Sequence, residues 1–230
     1  MKIKGFLIAG SIVFGIGLIV LVIVSLLPGF SYNNLKYPVT EKQYNYDEIL
    51  NVYYEGDVEG LVIEGTTGDN TIITYDSEAM WYEVNYNETT KSISIIQKTK
   101  KFSFSIGNSR NDKPVVVKIN GDLEKLTVDI DAASLEVKDL TINSVNISID
   151  AGKASFENTI ISKGEMEIDA GKVEFEGKIL SSLDASVDAG SIELELNQSE
   201  SEFTVNGRGN GSIRLEIDVD AGDYDIDYLD

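Results

Sequence analysis

The 230-residue chain contains no histidine and no cysteine. Lacking cysteine, it has no disulfide, no thiolate nucleophile, no iron–sulfur ligand and no thiolate zinc site. Lacking histidine, it has no imidazole base, no Ser-His-Asp triad and no imidazole metal ligand. Cationic residues are also scarce. The 19 Lys+Arg stand against 39 Asp+Glu, a formal net charge of -20, which leaves no basic face for a nucleic-acid backbone. Arginine occurs only at Arg110, Arg208 and Arg214, none beside an obvious carboxylate cluster. Much of enzymology is thereby excluded, and no catalytic, cofactor-binding or metal-binding residue is assigned from the sequence.

Charge is also absent over one long stretch: Phe6 to Leu27 is a run of 22 residues without an ionisable side chain. As a helix it would span about 33 Å, enough for the ~30 Å hydrocarbon core of a bilayer. The run is longer than the apolar part of a cleaved signal peptide and lacks a small-x-small cleavage site. The sequence therefore predicts a cytoplasmic stub over 1–5, a transmembrane helix over 6–28 and a juxtamembrane linker over 29–48. Lys2 and Lys4 precede the span, so its N-terminus is expected in the cytoplasm. The rest of the chain, carrying -22, is expected outside the membrane: residues 29–230 hold 17 Lys+Arg and all 39 acids.

From Asn51 onward the chain reads as strands, short runs rich in Val, Ile, Tyr and Thr and broken by Gly, Asn and Asp. An irregular β part is expected over 49–120 and a repeat region over 121–230, the two forming one continuous all-β domain. The repeat is explicit. Asp131-Ala132-Ala133, Asp150-Ala151-Gly152, Asp169-Ala170-Gly171 and Asp188-Ala189-Gly190 recur every 19 residues, and Asp220-Ala221-Gly222 follows after 32. One residue before each Asp stand Ile130, Ile149, Ile168, Val187 and Val219. Six after it stand Val137, Phe156, Phe175, Leu194 and Ile226. Apolar residues at every second position, matched column by column at a fixed step, predict a β-helix-like parallel β-solenoid.

In that frame Ala of each Asp-Ala-Gly is expected to point inward at a tight corner, Gly to supply a backbone angle closed to other residues, and Asp to bond the bend. Lys153 and Lys172 would offset repulsion along the column Asp131, Asp150, Asp169, Asp188 and Asp220. The alternative use of that column is a cation ladder for Ca²⁺, though the Gly-Gly-x-Gly-x-Asp pattern of calcium-binding rolls is missing. Asp218, Asp220 and Asp223 are a second conceivable cation set, but the alternating tail from Asp218 to Asp230 reads first as a capping strand whose charge resists edge-to-edge association. Two further candidates are the basic cluster Lys98-Thr99-Lys100-Lys101 and a sugar-stacking surface of Trp81 with Tyr75, Tyr82 and Tyr86.

The strand Val115-Val116-Val117-Lys118-Ile119, followed by repeats such as Ile168-Asp169-Ala170-Gly171-Lys172-Val173-Glu174-Phe175, resembles the bacterial putative-adhesin family of domains of unknown function. The resemblance covers residues 50–230. It implies a membrane-anchored or secreted β-solenoid, a role in adhesion or envelope-stress signalling, and no catalytic residues. The function expected is that of a non-catalytic, membrane-anchored binding module facing an envelope protein or a wall polymer. The alternatives are a scaffold assembling through the solenoid ends and a Ca²⁺-dependent polysaccharide-acting enzyme.

Overall fold

Period-two alternation decides the local structure, because it lets one face of an extended chain bury Ile, Val, Leu and Phe while the other meets water. A computed structural model describes residues 41–46, 48–57, 60–67, 71–76, 81–98 and 114–229. It contains thirteen strands: β1 Glu41–Tyr46, β2 Asn51–Gly56, β3 Leu61–Thr66, β4 Thr71–Asp76, β5 Trp81–Asn87, β6 Ser92–Lys98, β7 Val115–Asn120, β8 Leu123–Ile130, β9 Ser134–Lys138, β10 Thr141–Leu196, β11 Phe203–Val205, β12 Arg208–Gly209 and β13 Ile213–Tyr228. Apart from one 3-10 turn at Glu200–Glu202, no helix occurs among the described residues.

All thirteen strands join one mixed sheet. Its main path runs β1-β4-β7-β3-β9-β10-β8-β2-β6-β5, with β13 continuing from β10 and β11 and β12 beyond it. Parallel pairs link β2 to β6 and β8, and β3 to β7 and β9. Antiparallel pairs place β1 on β4, β4 on β7 and β5 on β6.

This order corrects the expected parallel β-solenoid. Solenoid coils stack in chain order, with the first coil at an end. Here β2 is inserted between β6 and β8, β3 between β7 and β9, and antiparallel strands form both rims. The result is an open sheet curled into a half-barrel. The 19-residue periodicity is present in it as strand register: Leu123 sits against Ile142 and Ser134 against Lys153, while β10 and β13 are offset by 32, as in Ser182 against Arg214.

The expected membrane location is corrected as well. No helix among the described residues is long and apolar enough to cross a membrane. The expected span, 6–28, lies outside the described residues, as does most of the expected linker.

One apolar core fills the inside of the curl, and residues Val39–Asp230 form one compact unit. Ile130, Ile149, Ile168 and Val187 are buried in one column, and Val137, Phe156, Phe175 and Leu194 in another. Each such side chain stabilises by about 1.5–3 kcal/mol on burial. The rings of Phe156 and Phe175 tilt against each other at 5.9 Å between centroids, where the 19-residue step brings them together.

Candidate functional site

The corners hold the most conspicuous polar feature. Asp131, Asp150, Asp169, Asp188 and Asp220 are all exposed. The alanines that follow, Ala132, Ala151, Ala170, Ala189 and Ala221, are exposed too, so the expectation that they point inward is wrong. The glycines explain the motif instead. A Cβ on Gly171 would lie 1.7 Å from the carbonyl oxygen of Gly152, one on Gly190 1.7 Å from that of Gly171, and one on Gly222 1.7 Å from that of Gly190. Backbone rests on backbone at this corner, and only hydrogen fits between.

Like charge accumulates where this column meets β2. Partial desolvation raises the Asp131 carboxyl above its ordinary range, and the carboxylates of Asp57, Asp150, Asp129 and Glu55 raise it further. Glu55 and Asp129 face each other directly across β2 and β8. Yet no group of three acidic side chains among the described residues converges as cation ligands. Successive aspartates lie one above another across neighbouring strands, as Asp188 and Asp220 do between the paired Val187–Val219 and Ala189–Ala221, each turned to solvent. The tail acids Asp218, Asp220 and Asp223 likewise point outward.

Lys153 and Lys172 do not lie in the aspartate column's service. They form a ladder with glutamates on the outward face beyond the corner. Glu174 pairs with Lys153 and, at 3.0 Å, with Lys172, which reaches Glu193 at 2.6 Å. Lys138 similarly joins Glu136 at 2.6 Å and Glu157 at 3.1 Å. Hydrogen bonds from Lys153 and then Lys172 lower the Glu174 carboxyl, despite some desolvation. Bonds to Glu193 and Glu174 raise the Lys172 ammonium, and bonds to Glu136 and Glu157 raise that of Lys138. Sequence reasoning missed this ladder. Its signal was a lysine followed by a glutamate one 19-residue repeat and two residues later, as in Lys153 with Glu174 and Lys172 with Glu193.

The remaining candidates do not assemble into a site. Tyr86 is half-buried, donates its hydroxyl to the Glu48 carbonyl at 2.9 Å and packs on Tyr46 with ring centroids 4.5 Å apart. Tyr82 also packs against the core, so these rings serve the rim of the sheet and form no flat platform. The side chains of Tyr75 and Trp81 lie outside the described residues. Lys98 pairs with Glu83 at 3.6 Å, whereas Thr99, Lys100 and Lys101 lie outside the described residues. Arg214 stands 3.9 Å from Glu216, Arg208 is exposed in β12, and Arg110 lies outside the described residues.

No family model matches the chain, and no curated protein matches it. Among solved structures, it is similar to a putative cell adhesion protein from Clostridium sporogenes ATCC 15579, with 11% identity and a TM-score of 0.38 over 83% of this chain and 100% of that one. A putative adhesin from Bacteroides fragilis NCTC 9343 aligns with 13% identity and a TM-score of 0.40 over 84% and 98%. A putative lipid binding protein from Parabacteroides distasonis ATCC 8503 gives 13% and 0.30 over 83% and 96%. TM-scores this low do not define a shared fold, and none of these names speaks of a membrane anchor.

Proposed function

We propose that the chain is a non-catalytic binding module that engages an envelope protein through the outward face of its stacked strands, in adhesion or envelope-stress signalling. The observation that carries this reading is the ordering of polar side chains into outward ladders, such as Lys153–Glu174–Lys172–Glu193, on a rigid sheet. A reaction centre needs acid, base and stabilising donors converging within hydrogen-bond reach of one atom. The ladder groups instead neutralise one another in pairs along an extended face, which suits recognition over area.

Charge favours a protein over a wall polymer as the occupant. The acidic surface attracts a basic protein face and repels anionic polymers, and complementarity of this kind governs association rate and partner choice. Photo-crosslinkers placed at the outward positions Ser148, Ser155 and Ser186 of the full chain, expressed in its own cells, should give one discrete protein adduct. Adducts with polysaccharide alone would assign a wall polymer. Turnover of an acidic polysaccharide by the purified chain would overturn the non-catalytic reading.

A further inference from the structure

The outer edge of β13 is covered over only part of its length. β11 pairs with Ile213, Arg214 and Leu215. Asn206 then closes the next position with its side-chain amide: Oδ1 accepts from the Ile217 N–H at 2.7 Å, and Nδ2 donates to the Ile217 carbonyl at 2.9 Å. Beyond Ile217 no strand among the described residues pairs with β13 on that side.

Strand geometry shows which groups are offered there. The N–H and C=O of successive residues point to opposite edges. Leu229 donates its N–H to Leu196, on the β10 side, at 2.9 Å. Tyr224, Ile226 and Tyr228 have the opposite phase, so their backbone groups face the open edge. Their side chains are only partly covered, Tyr228 by the ring of Phe203 at 5.5 Å between centroids. Tyr224 is 47% exposed and Ile226 and Tyr228 are half-buried, whereas Ile192, Leu194 and Leu196, their partners in β10, are 1% exposed or less. On the opposite face, Asp218, Asp223, Asp225 and Asp227 are exposed, and no Lys or Arg follows Arg214.

We propose that this edge takes an extended segment of a basic protein, added to the sheet as one further strand. Its backbone would pair with Tyr224, Ile226 and Tyr228. Alternate Lys or Arg side chains would stand about 4.8 Å from the aspartates, and the apolar residues between them would cover Tyr224 and the open sides of Ile226 and Tyr228. The same acids reject a second copy of this chain, because Asp would face Asp across the new pair. This site is separate from the outward ladder face and stands if that face binds nothing.

The probe is a twelve-residue peptide alternating lysine and valine, titrated into the full chain at low salt. Saturable binding is expected, with new hydrogen-exchange protection at the amides of Tyr224, Ile226 and Tyr228. N-methylation of alternate peptide residues should weaken binding at least tenfold, since it removes edge hydrogen bonds and keeps the charge. The triple variant Asp223→Lys, Asp225→Lys, Asp227→Lys should lose the lysine peptide and bind its glutamate counterpart, which also shows that the variant is folded. Three results would each overturn the proposal: no binding, equal binding of the N-methylated peptide, or protection confined to other strands. Dimerisation of the free chain with burial of the same three amides would assign the edge to a second copy and overturn it too.

Discussion

Replacing Gly171 by alanine probes the backbone stacking at the corners. Two effects add. The new Cβ would stand 1.7 Å from the Gly152 carbonyl oxygen and 2.8 Å from its carbon, atoms fixed in the sheet that cannot swing aside. Forced overpacking of this kind costs about 1–3 kcal/mol. Gly171 also has φ +156°, a backbone region almost closed to residues with a side chain, which costs about 1–3 kcal/mol more. A loss of about 4 kcal/mol, at a urea slope of about 2 kcal/mol/M, lowers the unfolding midpoint by about 2 M. Two controls separate the causes. Gly152→Ala meets the Ala133 carbonyl oxygen at the same 1.7 Å without a positive φ, so it should show the steric part alone. Gly207→Ala, at φ +72° with nothing within 4 Å, should cost only about 1 kcal/mol. The assay is urea unfolding followed by circular dichroism. If Gly171→Ala unfolds within about 0.5 kcal/mol of the native chain, the corner does not stack as described.

Phe156→Ala should destabilise by about 3–5 kcal/mol, because the ring is 2% exposed, and a double-mutant cycle with Phe175→Ala should show coupling from their direct contact. Asn206→Ala removes both bonds to the Ile217 backbone and should cost about 1–2 kcal/mol, read as faster hydrogen exchange at the Ile217 amide. Two acids should respond to pH in opposite senses. The Glu174 carboxyl is held low in the folded state, so its contribution is present at neutral pH and lost as pH falls through the folded value. Glu174→Gln should therefore lower the thermal midpoint slightly at pH 7 and leave it unchanged at pH 2, the effect being limited by solvent at a half-exposed pair. Asp131 is raised, so its ionisation opposes folding above its folded value; Asp131→Asn should raise the midpoint at pH 7 and converge with the native chain at pH 2.

The strands were legible because period-two alternation is a local property: Val115-Val116-Val117-Lys118-Ile119 and the columns through Ile149 and Phe156 identify their buried faces without reference to any partner. Strand order was not legible. Insertion of β2 between β6 and β8 depends on pairings 41 and 74 residues apart, as in Asn51 with Ser92 and with Lys125, and no repeat marks them. The matched columns suggested that all coils stack in sequence, yet the repeat occupies only the later part of the chain. The corner alanines misled for a related reason. Strict alternation fails across a bend, so Ala151 and Ala170 turn outward while the glycines take the crowded position. Tyr224 sits in an inward column but is exposed because no strand among the described residues lies above it. Of the candidate surfaces, the acidic tail was visible in the sequence; its open backbone edge depends on where β11 and Asn206 stop.

The central claim is that order of strands, since it fixes which edges and faces are free. Because the chain has no native cysteine, pairs of introduced ones report adjacency without background. Tyr53 lies against Thr127 on one side and Ser94 on the other, whereas Ser94 and Thr127 stand two strands apart, about 9.6 Å and beyond the reach of a disulfide. Under mild oxidation the 53/127 and 53/94 cysteine pairs should close and the 94/127 pair should stay reduced. Closure of 94/127 with failure of the other two would place β6 directly on β8 and contradict the account.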